Sequence, residues 1–210
     1  MTGHDDFAFE PIPGLPERLP VGEDILWQGR PATHALARDA YGLHWIAGYF
    51  GVIVLWRAGA AFADGGAALA LAMGIPYVGL AVLGLAVVWF LAWVQARATL
   101  YTITSARIVL RIGAALPVTF NLPFAQLGAA SLDSRRDGTG TIALATLGDT
   151  RISALVAWPH IRPWHLRETQ PALRCIPDAG AVARLLAEAA QTRLARPVVS
   201  RAPMHAVAAE

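Results

Sequence analysis

The sequence predicts an α+β membrane protein, with a two-helix transmembrane hairpin leading into a small seven-stranded β domain capped by a C-terminal helix. Three observations predict it. Ala67 to Val94 carries no charged residue, and roughly 20 apolar residues suffice for a helix to cross about 30 Å of hydrocarbon. Residues 98–176 divide into short runs rich in Thr, Ile, Val and Leu, separated by Gly, Pro, Asp and Ser, which is the pattern of strands and tight turns. Composition agrees: of 210 residues 55% are hydrophobic and only 15% charged, against roughly 25% charged in an average soluble domain.

The elements follow in order. Residues 1–41 form an N-terminal cytoplasmic segment. It contains Asp5, Asp6, Glu10 and Glu17 and no early apolar run, so it lacks the basic start and hydrophobic middle of a cleavable signal peptide. The hairpin occupies 42–95, with spans at about 42–61 and 67–94. The first begins LHWIAGYFGVIVLW (Leu43 to Trp56), places Trp45 and Trp56 where belt aromatics sit, and lets Arg57 snorkel from its end. The second is long enough to tilt or to bend at Pro76, with Trp89 and Trp93 anchoring it. Arg57 to Gly66 (RAGAAFADGG) reads as the turn between them. Ala47 with Gly51 and Ala70 with Gly74 are small-residue pairs that let helices approach closely.

Arginine placement sets orientation. Arg30, Arg38, Arg97, Arg107 and Arg111 flank the spans and Arg57 alone lies between them, so a multi-pass protein with both termini in the cytoplasm is expected. The segment through Gly42 carries three Arg and seven acids, the hairpin one of each, and residues 95–210 thirteen Arg and seven acids. The basic C-terminal part either rests on anionic headgroups or is a solvated arginine surface.

The β domain covers 96–195. Its strands are expected at Ala98 to Thr104, Ala106 to Ile112, Pro117 to Asn121, Leu127 to Asp133, Thr139 to Leu147, Thr150 to Ala157 and Ala172 to Ile176. Thr104-Ser105, Asp137-Gly138 and Gly148-Asp149 supply turns. A helix is expected after Asp178, with Val182, Leu185, Leu186 and Ala189 on its apolar face. Residues 196–210 have two prolines and no periodicity and are expected to be a disordered tail.

Familiar chemistry is sparse. Cys175 is the single cysteine, which excludes an internal disulfide and a Cys-rich metal site. GTGTIA (Gly138 to Ala143) has the glycines of a dinucleotide fingerprint, but β-branched residues follow where that motif needs a helix, so a turn is the favoured reading. No Walker loop, GxSxG or HExxH motif occurs, and no catalytic residue, metal site, cofactor or nucleic-acid partner is expected. His160 and His165 are spaced by five with Pro163 between them, which does not suit a helical metal pair. His44, beside Trp45 in the first span, reads either as an interfacial histidine or as a pigment contact. The stretch Trp158 to Pro177 is dense in Trp, Arg and Pro, and Trp and Arg dominate interface hot spots. Trp158, His160, Arg162, Trp164 and Arg167 are therefore the expected partner-binding residues, the alternative being that the two Trp close the core or rest on the bilayer.

LPVGEDILWQGRP (Leu19 to Pro31), a membrane hairpin and then YTITSARIVLRIG (Tyr101 to Gly113) resemble the layout of bacterial membrane-anchored pleckstrin-homology-like (PH-like) proteins. HDDFAFEPIPGLPE near the start, GRPA after Trp27, and HIRPW followed by QPALRCIPDA are similar to PuhB-type photosynthetic complex assembly proteins of purple bacteria. The resemblance implies a PH-like seven-stranded β-barrel closed by the C-terminal helix, in a protein of the bacterial inner membrane, cytoplasmic or intracytoplasmic. It also implies a non-enzymatic role in assembling the reaction centre with its core light-harvesting complex. Reaction-centre and core light-harvesting subunits, membrane lipids and a second copy of the chain are the partners expected. The alternatives are a carrier of pigment or anionic lipid in the same membrane, and a general PH-like membrane protein unrelated to photosynthesis.

Overall fold

The computed structural model describes residues 11–114, 116–148, 152–165 and 168–195. The expected tail 196–210, most of the Gly148-Asp149 turn and the acidic start lie outside the described residues. Element order is β1 (Ile25–Gly29), α1 (Thr33–Asp39), α2 (Leu43–Ala98), β2 (Leu100–Thr104), β3 (Arg107–Ile112) and β4 (Val118–Pro123). A 3-10 turn (Phe124–Gln126), β5 (Leu127–Ser134), β6 (Gly140–Thr146), α3 (Ala154–Ala157), β7 (Ala172–Ile176) and α4 (Ala179–Leu194) follow.

The apolar stretch forms one helical element of 56 residues, the single described helix long and apolar enough to cross a membrane. Two separate spans at 42–61 and 67–94 with a loop from Arg57 to Gly66 are therefore corrected. Helix continues through Asp64, and only Gly65 and Gly66 leave helical geometry. Gly66 has φ 70° and ψ −163°, a region that a side chain disfavours and glycine tolerates. The element bends back there. A Cβ placed on Gly84 would lie 3.1 Å from the Phe50 ring, and one on Gly74 3.4 Å from Ala58. Residues 34 apart along an unbroken helix would be about 51 Å apart. Arg57 is not at a helix end; its guanidinium lies 5.5 Å from the Tyr77 ring centre across the bend. Of the small-residue pairs, Gly74 faces the opposite limb, while Gly51 has open space around it.

Strand β1 was not foreseen. It pairs antiparallel with β2, Gly29 opposite Tyr101 and Gln28 opposite Thr102, so α2 is an insertion between adjacent strands of one sheet. All of β2 is buried. Tyr101 and Ile103 point into the core. The lead segment covers the other face: the Gln28 amide bonds Thr102 Oγ1 and Pro13 O, and Gly14 approaches Leu100 so closely that a Cβ would meet its side chain at 2.6 Å. Glu23 ties the far end of β2, accepting from Thr104 Oγ1 at 2.7 Å and from Arg107 Nε at 2.8 Å.

The sheets are β1-β2-β3-β4 and β5-β6-β7, both antiparallel. The expected closed barrel does not form. Its sixth strand, Thr150 to Ala157, is instead a short helix over Ala154–Ala157 where it is described, and the chain leaves β4 through a 3-10 turn that buries Phe124. The sheets meet through side chains: Ile108, Leu110, Ile112, Ile142, Leu144 and Leu173 share one core with α4. In β7, Leu173 and Ile176 both face that core although three residues apart. Strict alternation forbids this, and the bulge at Cys175, with φ 54°, permits it. Asp178 precedes α4 as expected but makes no capping hydrogen bond; Val182, Leu186 and Ala189 are buried on its inner face. Gly138 lies in the β5–β6 turn and strand β6 follows, so the dinucleotide motif has no helix.

Gly140 lies at a close approach of α4 to the sheet. A Cβ there would meet the Asp133 carbonyl oxygen at 2.6 Å and the Ala179 Cβ at 2.7 Å. Gly140→Ala is expected to cost about 1–3 kcal/mol by overpacking, while Gly180→Ala, with nothing within 4 Å, should be neutral. Thermal unfolding of the detergent-solubilised chain compares the two.

Candidate functional site at the helix exit

Where α2 ends, polar side chains appear inside an otherwise apolar core. Gln95 and Thr99 belong to the last turn of α2 and its cap, and Tyr101 to the start of β2. His160 follows α3, and Arg174 sits in β7. His160 is 1% exposed and Arg174 6%. Burying such groups is unfavourable unless their hydrogen bonds are satisfied, and here each finds partners.

The bonding pattern selects the histidine tautomer. The Arg174 backbone N–H donates to the Tyr101 hydroxyl, leaving its proton for His160 Nδ1. Nε2 then carries the ring hydrogen and donates to Thr99 Oγ1 at 3.1 Å, while the Thr99 hydroxyl donates to the Gln95 carbonyl at 2.8 Å. The Gln95 side-chain nitrogen is placed 3.1 Å from the same Nε2; exchanging the oxygen and nitrogen of this amide, which are alike in shape, supplies the acceptor that the pattern requires. Burial, aided by the Arg174 charge, pushes His160 down to about 3, and burial pushes Tyr101 upward. The imidazole is thus held neutral.

Arg174 spreads the junction further. Its guanidinium donates to Pro159 O at 2.9 Å and to Asp39 O at 2.7 Å, joining the loop before His160 to the end of α1. The Asp39 carboxylate in turn takes Arg38 Nε at 2.9 Å and Arg135 Nε at 2.6 Å. Arg38 also reaches Asp137 at 3.0 Å; bonds from Thr139 and then from Arg38 hold that carboxyl down at about 2. Beneath them Ala35, Leu36, Ala96 and Cys175 form a small apolar cluster between α1, α2 and β7. Burial raises the Cys175 thiol to about 11, so it is no ready nucleophile.

The expected partner-binding residues separate here. His160 is interior, which corrects its reading as a contact residue: it positions the loop from within. Trp158 is half exposed and meets Tyr41 edge to face, ring centres 5.2 Å apart. Arg162 bonds the Gln170 side chain at 3.1 Å, closing the base of the loop. Trp164, at φ 64°, is 96% exposed at its tip. Arg167 lies outside the described residues. His165 bonds Pro163 O, far in role from buried His160. Among the described residues no group of three or more His, Cys, Asp or Glu could hold a metal. His44 is exposed in the first turn of α2 with its ring against Trp45, apart from the junction. Gln95, Thr99, Tyr101, Asp39 and Arg174 escaped the sequence reading; Gln95, polar at the end of a long apolar run, was the one available signal.

The arrangement fastens the helix end, α1 and the loop into one unit and holds Trp164 outward. His160→Phe would leave the Tyr101 hydroxyl and Thr99 short of partners and is expected to destabilise the chain by about 1–3 kcal/mol. The pH dependence has a defined sign. Between pH 3 and 6.5 the unfolded histidine binds a proton that the native one refuses, so its contribution is complete above 6.5 and is lost as pH falls toward 3. The slope reaches at most about 1.4 kcal/mol per pH unit. Denaturant unfolding across that range should show the slope in the wild type and lose that component in His160→Phe.

Comparison with known proteins extends the picture. The pattern of the family described as bacterial PH domain matches residues 45–190, from within α2 to near the end of α4. A relative from Rhodobacter capsulatus, whose name reads "Uncharacterized 23.7 kDa protein in puhA 5'region", is 49% identical over 205 residues, 97% of this chain and 95% of the relative. No solved structure matches the chain. With most of its length matched, helix included, this chain belongs to the bacterial PH domain family.

Proposed function

We propose that the protein is a non-enzymatic, membrane-anchored assembly factor for the photosynthetic reaction centre and its core light-harvesting complex, acting by protein contacts at the membrane surface. The observation that carries the photosynthetic part is the relative in the puhA 5' region of a photosynthetic bacterium, aligned along 97% of this chain. The membrane part is supported by the length and apolar character of α2 and by the return of both its ends to one sheet. Leu43 to Asp64 would span about 33 Å and Ala67 to Ala98 about 48 Å at 1.5 Å per residue. In this reading each limb crosses the bilayer, with both termini on the arginine-rich cytoplasmic side.

Trp164 and Arg162 form the contact surface for the client, with His160 holding the loop from inside. Confinement to the membrane plane raises the effective concentration of this surface near integral clients. Deletion of the gene should lower reaction-centre and core-antenna levels under phototrophic growth; unchanged levels would sink the reading. In a mild-detergent pull-down from such cells, Trp164→Ala should reduce co-purifying reaction-centre or antenna polypeptides roughly tenfold or more, as for a hot-spot residue. Pigment on the bait alone, lost in His44→Leu, would favour the carrier reading instead.

A further inference from the structure

The short helix α3 is inverted relative to what water selects. Its small residues face inward, Ala157 fully buried and Ala154 against the core. Its large ones face outward, Leu155 89% and Val156 50% exposed. A surface helix of a soluble domain places them the other way round. From Ile152 to Pro159 (ISALVAWP) there is also no charged residue.

The position of this segment names its surroundings. Trp158, which ends it, touches Tyr41 two residues before α2 begins. His160, two residues on, bonds Gln95 and Thr99 where α2 ends. The segment is thereby held at the level of both ends of the apolar helix. Arg97 stacks over Trp93 at 4.9 Å at that level, a cation and an aromatic where a bilayer grades into water. An uncharged, outward-facing aliphatic pair ending in a tryptophan suits the headgroup–acyl boundary.

We propose that Leu155, Val156 and Trp158 seat in the interfacial layer of the same bilayer that α2 crosses, a second point of attachment that sets the tilt of the PH-like domain. This rests on the membrane-spanning reading of α2. The occupant is lipid because the patch is continuous with the lipid-facing helix through the Tyr41–Trp158 contact and carries no charge for a polar partner to read. The client surface at Trp164 is then left on the outer side of the loop, at a height fixed by the bilayer.

The test uses the purified full-length chain, one copy per nanodisc of phosphatidylcholine and phosphatidylglycerol. An environment-sensitive fluorophore is attached at Leu155→Cys, Val82→Cys or Val21→Cys, native Cys175 being buried. Val82 sits midway along the second limb. Val21 is exposed beside the turn at the far end of β2, about 13 Å of strand from the helix exit. The expected result is strong quenching of the Leu155 probe by lipids spin-labelled near the headgroup and little at Val21, with Val82 quenched by labels deep in the acyl chain. Equal quenching of Leu155 and Val21 by aqueous iodide would overturn the proposal, as would shielding of Leu155 that appears only with two copies per disc or on adding photosynthetic membrane proteins. Absence of deep quenching at Val82 would refute the spanning reading and with it the second attachment, whereas loss of quenching at Leu155 with Val82 still quenched would overturn the interfacial seat alone.

Discussion

The antiparallel pairing of Ile25–Gly29 with Leu100–Thr104 governs the molecule. Two strands joined by ladder hydrogen bonds must begin and end within a few ångströms of each other, yet α1 and the 56-residue element α2 are inserted between them. The helix has to turn back. Gly65 and Gly66 provide the reversal, and small residues such as Gly74 at the inner surface let the limbs close. The bend is therefore a consequence of strand pairing as much as of the local Gly-Gly break.

Attachment of a long helix to a small domain by backbone alone would leave a hinge. The Tyr101–His160–Thr99 bonds and the Arg174 bridge remove it, because swinging the helix would strip partners from groups that cannot reach water. Apolar packing by Ala35, Leu36 and Ala96 supplies area without direction, whereas the histidine supplies direction.

Much of the β domain was legible in the sequence. Alternating Ile and Leu in β3 and β6, and the Asp137-Gly138 turn, locate their strands to within a residue or two. What misled was context. Ile25–Gly29 is a short run that reads as a lead segment until β2 offers it an edge. Thr150 to Ala157 has β-forming residues but no strand partner, so its described part takes a local helix instead. Within the loop rich in Trp and Arg, Trp164 faces solvent while His160 points into the core. Facing is decided by Tyr101 and Thr99, some sixty residues earlier in the chain.

By itself the sequence determined the apolar stretch, its arginine-flanked ends and most strands, because these follow from composition and from periodicities of neighbouring residues. Only the tertiary structure decided that the lead segment completes the first sheet, that the two sheets meet without closing, and that His160 is a buried lock while Trp164 is the exposed tip. Those outcomes depend on which distant hydrogen-bonding groups meet, and no local pattern encodes that meeting.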